Sequence, residues 1–173
     1  WVCYANYNNI ETTLKLEATR APYLDRLLED PRVEIDRKDK DGWTALHWAS
    51  WSGLDRLSDM LIERKADINN REGNGFTPLM LAAMRGNFQV AALLLEKGAD
   101  MTAVNKFGKN ALQLAEEGAL AYQSSFDLTK TEVSKAPVDS FIRAYEKAVA
   151  GLPPEHAPEF MEAMKKAVGR QSF

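Results

Sequence analysis

The chain repeats itself with a period of 33 residues. Residues 41–69 align with residues 74–102 without a gap, and a third copy opens at residue 107 with FGKNALQLAEEGA. Equivalent positions hold the same residue in successive copies, as in Gly42, Gly75 and Gly108, or Leu46, Leu79 and Leu112. A unit of this length cannot bury its apolar face alone. We therefore predict stacked units that share one continuous core.

Each unit is predicted to hold two short helices. The first begins at a threonine cap, tolerates proline in its first turn, and ends at a glycine. These residues are Thr44 and Gly53 in one unit, and Thr77, Pro78 and Gly86 in the next. Leucine and valine at helical spacing predict the second helix over 54–64 and 87–97, and Lys65 or Gly98 terminates it.

The motifs TALHWA, TPLMLAA, ERKADIN and EKGADMT on this period resemble those of ankyrin-repeat proteins, over roughly residues 12–118. The resemblance implies an all-α solenoid of helix-turn-helix repeats with hairpin loops, followed by C-terminal helices. We divide the chain into a tail (1–10), ankyrin repeats (11–122), an insertion or linker (123–136) and C-terminal helices that complete and cap the array (137–173). Within the array, a degenerate cap (11–40) precedes full repeats starting near 41 and 74 and an interrupted repeat starting near 107.

The interruption lies in the third repeat. Residues 120–130 lack the paired leucines of a second helix, and an apolar stripe returns only at 137–151. We interpret this later helix as the missing half of the third repeat, and we predict a last helix over 158–168. An LLED cap (27–30) and an interrupted last repeat are also similar to the ankyrin subunit of the chloroplast signal recognition particle. The chromodomains of that family have no counterpart here, so its client-binding role is not carried over.

Composition excludes several classes of function. The formal net charge of −3 argues against a nucleic-acid footprint over the whole molecule. A single cysteine, Cys3, argues against a disulfide framework. No apolar run is long enough to cross a membrane. We expect a soluble chain in a reducing compartment, the cytoplasm by default or an organelle such as the plastid stroma, because a start at Trp1 suggests processing or truncation.

Catalysis is not predicted. His47 and His156 are the only histidines, and with one cysteine they do not form a spaced set of metal ligands. No nucleophile motif or phosphate loop occurs. In ankyrin repeats the histidine of TALH is similar to a structural residue that binds the neighbouring turn, so we expect His47 to do the same. We predict no enzyme activity, no metal and no cofactor.

The family resemblance implies that partner contacts lie around the repeat glycine and near the end of the first helix. Those positions hold Lys38, Lys40, Asp41, Trp43, Trp51 and Ser52 in the first full repeat, Arg71, Phe76, Met84 and Arg85 in the second, and Val104, Lys106, Phe107, Lys109 and Glu117 in the third. Trp48 aligns with Leu81 and Leu114, which predicts a core position. Trp43 and Trp51 align with variable positions, which predicts an exposed contact pair.

We therefore predict a non-catalytic protein–protein interaction module, a scaffold, adaptor or assembly subunit. Its partner is expected to be another protein with apolar anchors and acidic residues, with no nucleic acid and no direct membrane insertion. One alternative is a structural subunit of a large complex, held by its C-terminal helices. Another is the regulatory or targeting portion of a larger enzyme. A third is that the aromatic surface is covered by the chain's own tail, from residues 123–136 or the last helix.

Overall fold

A computed structural model of the chain describes residues 26, 30, 32–115, 117 and 136–151. The helices are α1 (Ala45–Ser52), α2 (Asp55–Glu63), α3 (Pro78–Met84), α4 (Phe88–Glu96), a short α5 (111–115) and α6 (Ala136–Ala150). Among these residues there is no strand, so the predicted all-α class is confirmed. The tail, most of the degenerate cap, the insertion up to residue 135, Cys3, His156 and the last predicted helix lie outside the described residues.

The helix boundaries follow the predicted capping residues. The hydroxyl of Thr44 accepts the backbone N–H of His47 at 3.5 Å, and that of Thr77 accepts the N–H of Met80 at 3.3 Å. Pro78 is the first residue of α3, where it has no intrahelical N–H to lose. Gly53 follows α1 in the left-handed conformation. The sequence therefore predicts the start of both first helices correctly.

The helices form two layers. The first helices α1 and α3 pack on each other, the second helices α2 and α4 do the same, and each repeat joins its own two helices. A single apolar core runs along the array between the layers. It is built from leucines and alanines at equivalent repeat positions, among them Leu46, Leu79, Leu112, Ala49, Ala82 and Ala115. This continuity is what the repeat pattern predicts.

The C-terminal helix α6 joins this same core. It packs on α4, the second helix of the preceding repeat. Ala144, Tyr145 and Val149 of α6 are buried in the common apolar cluster. α4 is thus in contact with both α2 and α6. That α6 completes the third repeat stays a prediction.

Candidate protein-binding surface

In each hairpin between repeats, one side-chain oxygen accepts two backbone N–H groups of the turn. Asp39, Glu72 and Asn105 occupy the same repeat position, three residues before the repeat glycine. In each case one side-chain oxygen accepts the backbone N–H groups two and four residues further on, at 2.8–3.1 Å. These bonds fix the backbone of the hairpin tip. This residue is not among the predicted contacts, although a polar acceptor recurs three residues before the repeat glycine in the sequence.

Glycine is required at the hairpins because of both conformation and space. Gly42 and Gly75 have φ of +83° and +81°, in the left-handed region. A Cβ on Gly42 would lie 3.2 Å from the backbone nitrogen of Gly73, and one on Gly75 would lie 3.3 Å from that of Lys106. Successive hairpins therefore approach each other through their backbones.

Side chains then tie each hairpin to the next. Lys38 Nζ donates to the carbonyl of Arg71 at 2.9 Å, and the Arg71 guanidinium donates to the carbonyl of Val104 at 2.9 Å. The residues joined are 33 apart in both bonds, so we call this series the hairpin ladder. Two predicted contact residues, Lys38 and Arg71, thus have a structural role on this surface. At the base of the loops, the side-chain oxygens of Asp36 and Asn69 accept the N–H groups of Asp67 and Asp100.

Three tryptophans form one cluster at the first hairpin. The ring centroid of Trp43 lies 4.6 Å from that of Trp48 and 5.7 Å from that of Trp51, with Trp51 edge-on. All three are half-buried. The prediction that Trp43 and Trp51 are exposed is therefore wrong, because these rings cover each other.

The core position predicted for Trp48 is also wrong. Leu81 and Leu114 at the equivalent positions are buried, whereas Trp48 is half-buried and packs on the ring of Trp43. Its indole N–H donates to Asp39 Oδ2 at 2.9 Å. A buried indole needs a partner for this group, and the partner here lies in the hairpin rather than in the core.

Asp39 therefore accepts three hydrogen bonds, two from the backbone and one from Trp48. Burial by itself raises the pKa of Asp39, but the donations from the Trp48 indole and from two backbone N–H groups outweigh it and hold the pKa below its usual value. The carboxylate is charged near neutral pH and is engaged by its own turn.

The second repeat contributes a cation and a second pair of rings. The Arg85 guanidinium carbon lies 4.5 Å from the centroid of the Trp51 ring, a cation–π geometry that joins the two repeats. Phe76 lies 6.2 Å from Phe107, and Phe107 is 66% exposed at the third hairpin. Met84 is half-buried against the core. The predicted apolar residues thus form a tryptophan cluster and a separate phenylalanine pair.

The third repeat carries charge at this surface. Lys109 Nζ lies 2.7 Å from Glu117 Oε2 in an ion pair. The remaining predicted residues, Lys40, Asp41 and Lys106, are exposed at the hairpin tips. The surface therefore changes along the array, from tryptophans in the first full repeat to an ion pair in the third.

His47 is fully buried and binds the neighbouring turn, as predicted. Its Nδ1 accepts the backbone N–H of Thr44 at 3.1 Å, and its Nε2 lies 3.2 Å from the carbonyl oxygen of Phe76. Burial lowers the pKa of His47, so the ring is neutral. A neutral ring that accepts at Nδ1 has its proton on Nε2, which donates to Phe76. This histidine is a structural link between two repeats.

In the part of the chain that the structure describes, no group of three or more histidine, cysteine, aspartate or glutamate side chains is placed to hold a metal ion. Nor is any helix there both long and apolar enough to cross a bilayer.

Two family models, both described as ankyrin repeats (many copies), match the chain at residues 15–59 and 61–115. Together the two matches span more than half of the sequence. The chain belongs to the ankyrin-repeat family. Ankyrin repeats are generic protein–protein interaction modules and are typically non-catalytic. A search of curated proteins found no match, which gives the resemblance to the chloroplast particle subunit no support.

Proposed function

We propose that this ankyrin array is a non-catalytic module that binds a partner protein on the surface formed by its first helices and hairpin tips. The observation that carries the proposal is the tryptophan cluster, with the Phe76–Phe107 pair in the next two hairpins. The tryptophan rings and Phe76 are half-buried and Phe107 is exposed, so part of this aromatic surface is accessible to a partner. Accessible apolar surface marks interaction sites, and tryptophan and arginine dominate the energetics of protein interfaces.

The charges of the hairpins favour an acidic partner. Asp39 and Glu72 direct their carboxylates into their own turns, where each accepts backbone N–H groups. The basic side chains of Lys40 and Lys106 are exposed at the tips, together with one acidic side chain, Asp41. An apolar centre with a basic rim suits a partner segment that carries apolar anchors between acidic residues.

The C-terminal helix gives less support to the alternative of a subunit held by its C-terminal helices. α6 buries Tyr145 and Val149 in the chain's own core. Its exposed positions include three charged residues, Arg143, Glu146 and Lys147. A helix that is apolar inside and charged outside fits the capping role that we propose for it, completing the third repeat.

Site-specific photo-crosslinking tests the binding surface. A photoreactive phenylalanine analogue replaces Phe107 in one variant and Arg56, an exposed residue of the second-layer helix α2, in a control. Both are exposed to a lysate of the source cells. We expect a discrete crosslinked protein from position 107 and none from position 56. Crosslinks from position 56 alone, or from neither position, would contradict the proposed surface.

A further inference from the structure

The same two positions recur in each of the three repeats that the structure describes, and we treat each pair of positions as one subsite. One position follows the hairpin turn, and the other lies near the end of the first helix. They hold Trp43 and Trp51, then Phe76 and Met84, then Lys109 and Glu117. The two positions are in contact in the first full repeat, with ring centroids 5.7 Å apart, and in the third, where the Lys109–Glu117 ion pair spans 2.7 Å.

The subsites therefore differ in the group that they accept. An apolar side chain gains free energy by covering the Trp43–Trp51 rings, or the half-buried side chains of Phe76 and Met84. At the third subsite the same side chain would have to remove water from a charged pair, which costs free energy. Lys109 and Glu117 are 41% and 51% exposed at their side chains, so a partner can reach them. A carboxylate can bind Lys109 there in competition with Glu117.

The spacing of the subsites follows from the packing of the first helices. α1 packs directly on α3, and packed helices lie about 8–10 Å apart. A segment in the extended polyproline II conformation advances about 3.1 Å per residue with three residues per turn, so side chains three residues apart point to the same side. Three residues of such a segment advance about 9 Å, which carries a side chain on the same face from one subsite to the next.

A cation lies at the boundary between the first two subsites. Arg85 belongs to the second repeat, and its guanidinium lies over the Trp51 ring of the first. A carboxylate between two apolar anchors of a partner would meet this guanidinium. Charge complementarity thus favours acidic residues both between the anchors and after them.

We propose that the three subsites bind a segment of a partner protein in the polyproline II conformation, with apolar residues at positions i and i+3 and an acidic residue at i+6. At the third subsite the Lys109–Glu117 ion pair disfavours an apolar residue at i+6. This inference rests on the proposed function, because it specifies the chemistry and register of the partner at that surface.

A phage-displayed library of random peptides, about 12 residues long so that they span all three subsites, tests the register. The library is panned against the full chain and against two double variants that exchange subsites between repeats. In Lys109→Phe/Glu117→Met the third subsite becomes apolar, and in Trp43→Lys/Trp51→Glu the first becomes charged. We expect the wild type to select the apolar, apolar, acidic register.

The variants should shift this consensus in opposite directions. Lys109→Phe/Glu117→Met should change the preference at i+6 from acidic to apolar and weaken the wild-type peptide about tenfold, as for loss of one charged contact. Trp43→Lys/Trp51→Glu should remove the first anchor. Because Trp43 and Trp51 are half-buried, that variant counts only if its thermal unfolding remains cooperative. The third-repeat variant changes accessible residues and tests the register alone.

The two proposals fail in different ways. If no peptide is enriched on the wild type, the proposed function of this surface is contradicted. If peptides are enriched but Lys109→Phe/Glu117→Met leaves their consensus and affinity unchanged, the surface binds peptides and the assigned register is wrong. A wild-type consensus with three apolar anchors overturns the role given to the ion pair.

Discussion

At the residue scale, the neutral imidazole of His47 links two repeats by accepting a hydrogen bond at one nitrogen and donating one from the other. Its Nδ1 must be unprotonated to accept the Thr44 N–H, while its Nε2 donates to the carbonyl of Phe76. Phe76 in turn belongs to the second subsite of the proposed binding surface. In the third repeat Gln113 lies at the position of His47 and makes the equivalent of its first hydrogen bond, because it accepts the N–H of Asn110 at 3.0 Å. Glutamine does not titrate.

Because His47 titrates and Gln113 does not, we predict that His47 makes the stability of the array depend on pH. Burial lowers the pKa of His47, so the unfolded chain, with a histidine pKa of about 6.5, takes up the proton first. The free energy of unfolding is therefore insensitive to His47 above that pKa and falls as the pH drops below it. We expect the melting temperature of the wild type to fall between about pH 7 and pH 5.

His47→Gln is the matched control, because it copies the residue of the third repeat. Its melting temperature should change less over the same range. Asp39 does not contribute to the change in stability over this range, because its pKa lies below that of an unperturbed aspartate, which is about 3.9. Equal pH slopes in the wild type and in His47→Gln would show that His47 is not the titrating link.

At the element scale, the two second helices end in the same way with different residues. In α2 the Ala66 N–H bonds to the carbonyl of Leu61, and in α4 the Ala99 N–H bonds to that of Leu94. Both turns need a residue with positive φ, which is +68° at Lys65 and +91° at Gly98. A left-handed conformation costs a residue with a Cβ about 1 kcal/mol, whereas glycine adopts it freely.

Exchanging these two residues should therefore change stability in opposite directions. Lys65→Gly is expected to raise the free energy of unfolding by about 0.5–1 kcal/mol, and Gly98→Lys to lower it by about 1 kcal/mol. A Cβ at residue 98 meets no atom within 4 Å, so the backbone conformation alone is tested there. Urea denaturation measures both changes. A stabilising Gly98→Lys would contradict this explanation.

Much of this level of structure could be predicted from the sequence. The caps, the helix ends and the buried leucines follow because their residue types recur every 33 positions and each type has one physical role. Trp48 shows where this reasoning fails. Its alignment with two leucines predicts burial, but an indole also has an N–H to satisfy, and its acceptor at Asp39 recurs as glutamate and asparagine. A comparison by residue identity does not reveal an acceptor whose residue type changes.

At the scale of the whole molecule, the apolar core continues from α1 to α6 although the sequence between α5 and α6 departs from the period. Tyr145 of α6 is 2% exposed within the same cluster as Leu94 of α4. Burial raises the pKa of the Tyr145 phenol, because removal from water disfavours the charged phenolate. The last described helix is therefore part of the folded array.

We expect Tyr145→Ala to destabilise the entire array. Truncation of a large buried ring costs about 3–5 kcal/mol, and this loss should lower the midpoint of a single cooperative transition. Arg143→Ala, at an exposed position of the same helix, should change stability by about 0.5 kcal/mol or less. Circular dichroism during chemical denaturation measures both. A separate low-stability transition in Tyr145→Ala, with the rest unaffected, would show that α6 folds independently.

The hairpin ladder also constrains which insertions and duplications the repeat array can accept. Each rung joins a side chain to the same position in the next repeat, from Lys38 to Arg71 and from Arg71 to Val104. A duplicated block of one period brings its own donor and its own acceptor, whereas an insertion of another length between two hairpins separates them. The long departure from the period in this sequence comes after Val104, which accepts the last rung among the described residues. Recombination in whole repeats is thus the change in length that this surface tolerates.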